Sequence, residues 1–176
     1  ERIYVKLLTR TLFQVDSYMK IEYPEISKGR TKVDFGQGFY LTGIKSQAEK
    51  WSKVIAIRKG PAFRPIVNMF ELNEDLFNQS DFRIKRFEEY NIEWLQYVVD
   101  CRRGGNLQKQ YDLVEGGVAN DNVIDTVEDF ENGRITAEQA LGQLVYKQVN
   151  HQVCIRNQQI IDKYLQFVSS YQIQKL

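Results

Sequence analysis

Glycine and proline breaks divide this chain into short segments, which limits it to short helices and short strands. The clearest breaks are Gly60-Pro61, Gly104-Gly105, Gly116-Gly117 and Gly133. Glycine readily adopts the backbone angles that end helices and strands, and proline interrupts both. The segments between the breaks lack the repeated strand–helix–strand order of a doubly wound sheet. The pattern therefore predicts an α+β fold with mainly antiparallel strands.

Short runs of apolar, aromatic and β-branched residues predict the strands or extended segments. They cover residues 11–15, 18–23, 39–42, 67–72, 82–87, 111–115, 152–156 and 164–171. The stretch 25–37 is rich in charge and glycine, and it predicts a loop.

Apolar residues spaced three or four apart predict two helices in the first two thirds of the chain. The first helix follows residue 42, and its apolar stripe consists of Ile44, Ala48, Trp51 and Ile55. The second covers residues 89–102, and its inward residues are Ile92, Trp94, Leu95, Val98 and Val99. We expect both tryptophans to lie in the core.

Capping residues predict three further helices. Asn120 or Asp121 caps the first of them, and Asn157 caps the last. Between these two, Thr136 and Gln139 match a capping box. The expected inward residues of the first two are Val123, Val127, Phe130, Ala140, Leu141, Leu144 and Val145.

Composition predicts one globular domain over residues 1–176 and excludes several classes of function. The 24 basic and 23 acidic residues leave a net charge of +1, which gives no bulk attraction for nucleic acid. No run of 18 apolar residues exists to form a transmembrane helix, and the first residues lack a signal-peptide pattern. Cys101 and Cys154 lie in apolar segments, which predicts buried free thiols and a cytoplasmic protein. The single histidine, His151, excludes a multi-histidine zinc site, so we expect no metal.

The segment from Asp34 to Tyr40 carries the best candidate chemistry. Gly36 and Gly38 are one residue apart, and such glycines let a backbone approach another group closely. Strand alternation sends Phe39 and Tyr40 to opposite faces, so one packs in the core and the other can line a cleft. The alternative is an ordinary glycine turn before a buried strand.

Other polar residues have two interpretations each. Arg30, in a loop with Lys28 and Lys32, can meet a diphosphate or remain solvated. Asn120 precedes a helix and can bind an anion or serve as a cap. His151 can line a cleft or lie at the surface, and the surface is the favoured interpretation. Asp34 is expected to hold the glycine loop through side-chain to backbone bonds.

These residues also resemble a known family. The run Lys28-Gly29-Arg30, Asp34-Phe35-Gly36, Gly38-Phe39-Tyr40-Leu41-Thr42 and Gln47-Ala48 with Trp51 is similar to a family of bacterial domains of unknown function. That family is grouped with the ADP-ribosyltransferases and is often encoded beside small toxin–antitoxin partners. The resemblance continues through Val67-Asn68, Glu93-Trp94-Leu95, Tyr111-Asp112, Gly117–Asp121 and Gln152-Val153-Cys154.

The resemblance implies an ADP-ribosyltransferase-like fold, with split antiparallel β-sheets, flanking helices and a cleft for NAD. Tyr40 would stack on the nicotinamide and Gln152 would hold its ribose as the two catalytic residues. The residues in contact with NAD would be Gly36, Gly38, Phe39, Tyr40, Arg30 and Asn120. The resemblance implies a toxin-type enzyme that transfers ADP-ribose to a protein or nucleic acid, with a small antitoxin protein as a further partner.

The chain departs from the family pattern on its first strand. The family reads Tyr-His-Gly-Ser there, and this chain reads Gln14-Val15-Asp16-Ser17. Valine cannot hydrogen-bond a ribose through its side chain. A domain that binds a nucleotide or a protein without catalysis is therefore the first alternative. A module that binds nucleic acid or an antitoxin without any NAD site is the second.

Overall fold

The fold is α+β, as the sequence predicts, with five α-helices and seven strands in the described part of the chain. The computed structural model describes residues 8–15, 17–119, 123–144 and 150–174. In chain order the elements are β1 (Thr9–Gln14), β2 (Phe39–Thr42), α1 (Lys45–Lys59), β3 (Ile66–Asn73), β4 (Ile84–Arg86), α2 (Ile92–Arg102), β5 (Leu113–Gly116), α3 (Ile124–Glu131), α4 (Ala137–Leu144), β6 (Gln152–Ile155), α5 (Gln158–Tyr164) and β7 (Leu165–Gln172).

Backbone contacts divide the chain into two compact units. The first unit comprises residues up to 25, residues 39–82 and residues from 157 onward. The second comprises residues 26–38 and 83–156. The sequence offers no linker at these boundaries, and its prediction of one domain stays a prediction.

The first unit contains an antiparallel sheet with the strand order β2-β1-β3-β7. Its core includes three aromatic rings in edge-to-face contact. The ring of Phe70 lies 5.4 Å from that of Phe39 and 5.6 Å from that of Phe167. Edge-to-face contacts have a preferred geometry, so they favour one arrangement of the three rings over others.

Helix α1 buries a narrower face than the sequence predicts. Its buried residues are Gln47, Ala48, Ser52 and Ala56. Of the predicted stripe only Ala48 is fully buried, while Ile44 is 39% exposed and precedes the helix. Trp51 is half-buried, so its expected core position is wrong. Small side chains let a helix approach its neighbours closely, and large ones are then displaced to the rim of the contact.

The sequence predicts a strand or an extended segment over residues 18–23, and no strand forms there. Backbone groups of this segment hydrogen-bond instead to the side chain of Asn68 on β3. The Oδ1 atom of Asn68 accepts from the backbone N–H of Ile21 at 3.3 Å. Its Nδ2 atom lies 2.8 Å from Gln14 Oε1, 2.7 Å from Ser17 Oγ and 2.8 Å from the carbonyl of Met19. One buried amide therefore replaces a strand ladder.

The second unit combines both kinds of strand pairing. Strand β4 lies parallel to β5, and β5 lies antiparallel to β6. Because the other described pairings are antiparallel, the prediction of a mainly antiparallel arrangement is confirmed. Both Cys101 and Cys154 are buried free thiols, also as predicted.

The helices of the second unit follow their sequence patterns closely. Four of the predicted inward residues of α2 are buried, and only Ile92 is wrong, at 43% exposure in the first turn. Thr136 and Gln139 form the predicted capping box, because each accepts from the backbone N–H of the other. Asn120, Asp121 and Val145 lie outside the described residues.

The cap predicted for the first unit's last helix is confirmed. Asn157 Oδ1 accepts from the backbone N–H of Gln159 at 2.9 Å. Helix α5 follows it directly. No helix in the described ranges is long and apolar enough to cross a membrane.

We expect Asn68→Ala to destabilise the protein by about 2–4 kcal/mol, because it leaves several buried polar groups without partners. Asn73→Ala, on the same strand, is the matched control. Asn73 only caps a short turn, and its loss should cost about 1 kcal/mol. Urea denaturation measures both, and equal effects would contradict the role assigned to Asn68.

Candidate functional site

The glycine loop of the second unit, residues 29–38, packs directly on strand β6. A Cβ atom placed at Gly38 would lie 2.5 Å from Cys154 Sγ and 2.7 Å from the carbonyl oxygen of Ile155. A Cβ atom at Gly29 would collide with the backbone of Gly38. Such distances are far below ordinary contact, so only glycine fits at positions 29 and 38.

Gly36 is required for two separate reasons. Its φ angle is +81°, a value that side chains other than glycine's rarely adopt. A Cβ atom there would also collide with the side chain of Gln108. Protein atoms therefore occupy the space beside Gly36 and Gly38, and close packing explains these glycines without a ligand.

Arg156, directly after β6, fastens the same loop. Its Nε atom donates to the carbonyl of Gln37 at 3.1 Å, and its Nη1 atom donates to the carbonyls of Gln108 and Tyr111. Gln37 in turn donates from its backbone to Gln108 Oε1 at 3.3 Å. The fork of one arginine thus joins the loop to the turn at residues 107–110.

Asp34 lies at the centre of the polar contacts in this unit. It is 8% exposed. Its Oδ2 atom accepts from the backbone N–H of Ala119 at 2.8 Å and from Gln152 Nε2 at 3.2 Å. Its Oδ1 atom accepts from Arg102 Nη1 at 3.3 Å. The expected scaffold role is therefore supported, but Asp34 holds residue 119, α2 and β6 rather than the glycine loop.

Burial raises the pKa of Asp34 above its ordinary value of 3.8. Desolvation penalises the charged form and is the largest effect. The hydrogen bonds from Ala119 and Gln152 and the charge of Arg102 act in the opposite direction. These interactions offset part of the desolvation that disfavours the charged form of Asp34.

Two aromatic residues hold the segment before residue 120. Trp94 Nε1 donates to the carbonyl of Gly117 at 3.1 Å, and Tyr90 Oη donates to the carbonyl of Val118 at 2.9 Å. Their rings lie 4.6 Å apart. Burial, with a smaller contribution from Asp34, raises the pKa of Tyr90 to about 12, so the hydroxyl stays a donor at neutral pH.

A second cluster of polar side chains in the same unit joins β4, β5 and the residue before β6. Glu115 on β5 lies between Arg86 on β4 and His151 before β6. His151 Nε2 is 2.7 Å from Glu115 Oε1, and Arg86 Nε is 3.2 Å from Glu115 Oε2. His151 is therefore only partly exposed. The favoured prediction of a surface histidine did not include its contact with Glu115.

Gln152 is 4% exposed and points its amide nitrogen at Asp34. A carboxylate only accepts, so this bond fixes which way the amide is turned. Among the described residues no second hydrogen bond joins the Gln152 side chain. The carbonyl oxygen of the amide is therefore turned away from Asp34.

Tyr40 and Phe39 belong to the first unit. Phe39 is buried and Tyr40 is half-buried, which confirms that they point to opposite faces with one in the core. The backbone N–H of Val15 donates to the carbonyl of Tyr40 at 3.0 Å, so the residue directly after β1 lies beside Tyr40.

Arg30 is exposed in the loop of the second unit, and Asn120 lies outside the described residues. Sequence reasoning missed Arg102, Tyr90 and Ala119. An arginine in the last turn of a helix usually offsets the helix dipole, so nothing in the sequence distinguishes Arg102. The structure's described residues contain no group of His, Cys, Asp and Glu that could hold a metal ion.

Comparison with known proteins gives one match. A family with the description "Protein of unknown function (DUF3990)" matches residues 13–167. No curated protein and no solved structure matches the chain.

The raised pKa of Asp34 predicts a distinct pH dependence of stability. The folded protein binds this proton more tightly than the unfolded chain, whose Asp34 has its ordinary pKa of 3.8. The stabilisation is full below that pKa and is lost as pH rises through the folded-state pKa. The free energy of unfolding of the wild type, minus that of Asp34→Asn, should therefore fall as pH rises. Urea denaturation over a pH series measures this difference, and an increase with pH would refute it.

Proposed function

The chain belongs to the DUF3990 family, and from this starting point we propose that it is an ADP-ribosyltransferase-like domain that uses NAD as donor. The proposal includes a bacterial toxin-type role in the cytoplasm and neutralisation by a small antitoxin protein. The acceptor would be a protein or a nucleic acid. Its support is the resemblance of the motifs around Tyr40 and Gln152, together with the contacts of these residues.

The observation that carries the proposal is the bond between Asp34 and Gln152. It turns the amide so that the nitrogen faces Asp34 at 3.2 Å. The carbonyl oxygen is then preorganised to accept from a ribose hydroxyl, and a preorganised acceptor costs no reorientation during the reaction. Without this bond the amide of Gln152 could flip, and its nitrogen and oxygen would exchange positions with little change in shape.

Tyr40 would supply the second contact. Tyr40 is half-buried on β2, and it faces the side of the strand away from the buried Phe39. A flat ring of this kind can stack on nicotinamide. Gly36 and Gly38 would act indirectly in this proposal, because their close packing shapes the loop rather than opening space for NAD.

The reaction would break the bond between the ribose C1′ carbon and the nicotinamide nitrogen, and its electron pair would leave with nicotinamide. A lone pair of the acceptor would form the new bond to C1′, and the acceptor would then release a proton to solvent. Gln152 cannot remove that proton, because an amide is not a base at neutral pH. An acceptor that is already nucleophilic would therefore suit this site best.

A second candidate is a domain of the same family that binds a nucleotide or a partner protein without catalysis. The specific observation is Val15, whose backbone N–H donates to the carbonyl of Tyr40 and which stands where the resemblance implies a histidine. The two candidates differ in whether nicotinamide is released.

Incubation with labelled NAD and a bacterial lysate tests the first candidate. We expect label transfer and nicotinamide release by the wild type, and their loss in Tyr40→Ala and Gln152→Ala. Tyr23→Ala and Gln172→Ala are the matched controls, because both residues are exposed, and they should retain activity. NAD binding without release would favour the second candidate, and absence of binding would exclude both uses of NAD.

Replacing Val15 with histidine tests the departure on the first strand. If Val15 limits the reaction, Val15→His should raise the rate of nicotinamide release at least about tenfold, since one well-placed donor to the transition state has an effect of this size. Val15→Leu is the control for side-chain volume. An equal rate in both variants would show that this position does not contact NAD.

A further inference from the structure

Helix α1 and the turn after it concentrate positive charge in the first unit. Residues 45–64 contain six of the chain's 24 basic residues and one of its 23 acidic residues. The near-neutral net charge of the whole chain does not reveal this strongly basic segment. A local patch of this kind attracts polyanions even where the bulk charge does not. The inference drawn from it rests on these charges and not on the proposed use of NAD.

Three of the cations lie away from the buried side of α1. The buried side is the row Ala48, Ser52 and Ala56. Lys50 and Arg58 are exposed and Lys53 is half-buried. Within the described part of the chain, none of these three cations forms an ion pair. Lys50 and Arg58 are about 12 Å apart along the helix axis, with Lys53 between them.

The one carboxylate of the segment is held elsewhere. Glu49 Oε1 accepts from Tyr171 Oη on β7 at 2.9 Å. Glu49 is therefore held against a strand of the sheet. The outer face of α1, which consists of Lys50, Lys53, Val54, Ile57 and Arg58, contains no acidic residue.

A pair of aromatic rings lies at the end of α1. The rings of Tyr18 and Phe63 are in edge-to-face contact at 5.7 Å, and Phe63 is 38% exposed. Lys59 Nζ lies 4.8 Å from the centre of the Tyr18 ring. Arg64 Nη1 donates to the carbonyl of Pro61 at 2.8 Å and holds the turn that carries Phe63. An exposed ring held in place beside cations is suited to stacking on a base.

The apolar residues of the outer face help to select the polyanion. Val54 is 36% exposed and Ile57 is 58% exposed, and both lie among the three cations. A helix that binds a membrane surface has its apolar and charged residues on separate faces. Here they are interleaved, so insertion of Ile57 into lipid would carry Lys53 with it. An acidic helix of a partner would be bound in a groove, whereas the outer face of a single helix is convex.

We propose that the outer face of α1, together with the ring of Phe63, binds a single-stranded nucleic acid. Lys50, Lys53 and Arg58 would contact its phosphates, and Phe63 would stack on one of its bases. A flexible strand can follow a convex surface, and these two kinds of contact recur in proteins that bind single strands. A double helix stacks its bases internally and offers none of them to Phe63.

Fluorescence anisotropy with labelled oligo(dT), in the absence of NAD, tests the proposal. We expect the wild type to bind the oligonucleotide and to bind the oligo(dA)·oligo(dT) duplex more weakly. The logarithm of the association constant should fall with the logarithm of the salt concentration with a slope of about −2. Each phosphate contact to a single strand contributes about −0.7 to this slope, and three cations are available.

The triple variant Lys50→Gln/Lys53→Gln/Arg58→Gln removes the charge of the outer face. It should weaken the binding of oligo(dT) at least about tenfold at low salt, because it removes all three phosphate contacts. The salt dependence should become flatter for the same reason.

Lys32→Gln/Lys109→Gln/Lys163→Gln is the matched control. It makes the same change in net charge at exposed positions outside α1 and should leave the affinity unchanged. A circular-dichroism melt of both triple variants confirms that they are folded.

Phe63→Ala tests the stacking contact separately from the charges. It should weaken the binding of oligo(dT) about fivefold, which is the lower end of the effect expected for the loss of one stacked base. Tyr23→Ala removes another exposed ring of the same unit and should have no effect.

Several results would overturn the proposal. They are equal affinity in the two triple variants, an affinity that does not depend on salt, a duplex bound as tightly as the single strand, and an unchanged affinity in Phe63→Ala. Vesicles of phosphatidylglycerol bound more tightly than oligo(dT) would assign the outer face of α1 to a membrane surface. Tighter binding of poly-glutamate would assign it to an acidic protein, and either result would overturn the proposal as well.

Discussion

The carboxylate of Asp34 is the constraint on which the second unit depends. It contacts a loop residue through Ala119, a helix through Arg102 and a strand through Gln152. Burial of a carboxylate costs free energy unless several donors hydrogen-bond to it. Removal of any one donor therefore leaves the carboxylate less well compensated. Three elements that are far apart in the sequence therefore share one electrostatic balance, and the orientation of Gln152 follows from it.

Asn68 has a comparable position in the first unit. Both residues use one polar side chain to hold backbone that no strand or helix supports. The difference is charge. The amide of Asn68 is neutral and both donates and accepts, so its contacts do not change with pH. The carboxylate of Asp34 only accepts, and its hold on its donors depends on its protonation. The contacts of Asn68 in the first unit are therefore independent of pH, whereas those of Asp34 in the second unit change with its protonation.

Local signals in the sequence predicted local structure well. The capping box of Thr136 and Gln139 and the cap of Asn157 depend on residues within a few positions of each other, and both formed. Of the strand or extended chain predicted for residues 18–23 the strand does not form, and Asn68, about 50 positions away, hydrogen-bonds to that backbone. Ile44 and Trp51 follow a helical period, yet tertiary packing selected Ala48 and Ser52 for the buried face.

The candidate site was predictable to a similar degree. Alternation correctly predicted that Phe39 and Tyr40 face opposite sides with one of them in the core, because that rule needs only the strand itself. Gly36 and Gly38 were correctly identified as sites of close approach, but the approaching groups are Gln108 and Cys154 rather than a ligand. Nothing in the sequence states which atoms meet a glycine. The same gap hid Arg102 and Ala119, whose importance arises only from their distance to Asp34.

The packing of Gly38 against Cys154 gives the chain an internal chemical reporter. The thiol is covered by the loop that carries the candidate motif, and a side chain of any size at residue 38 would displace one from the other. Alkylating reagents reach a buried sulfur only when its cover lifts. The rate at which Cys154 is alkylated therefore records the opening of the glycine loop, in a protein that carries no added label.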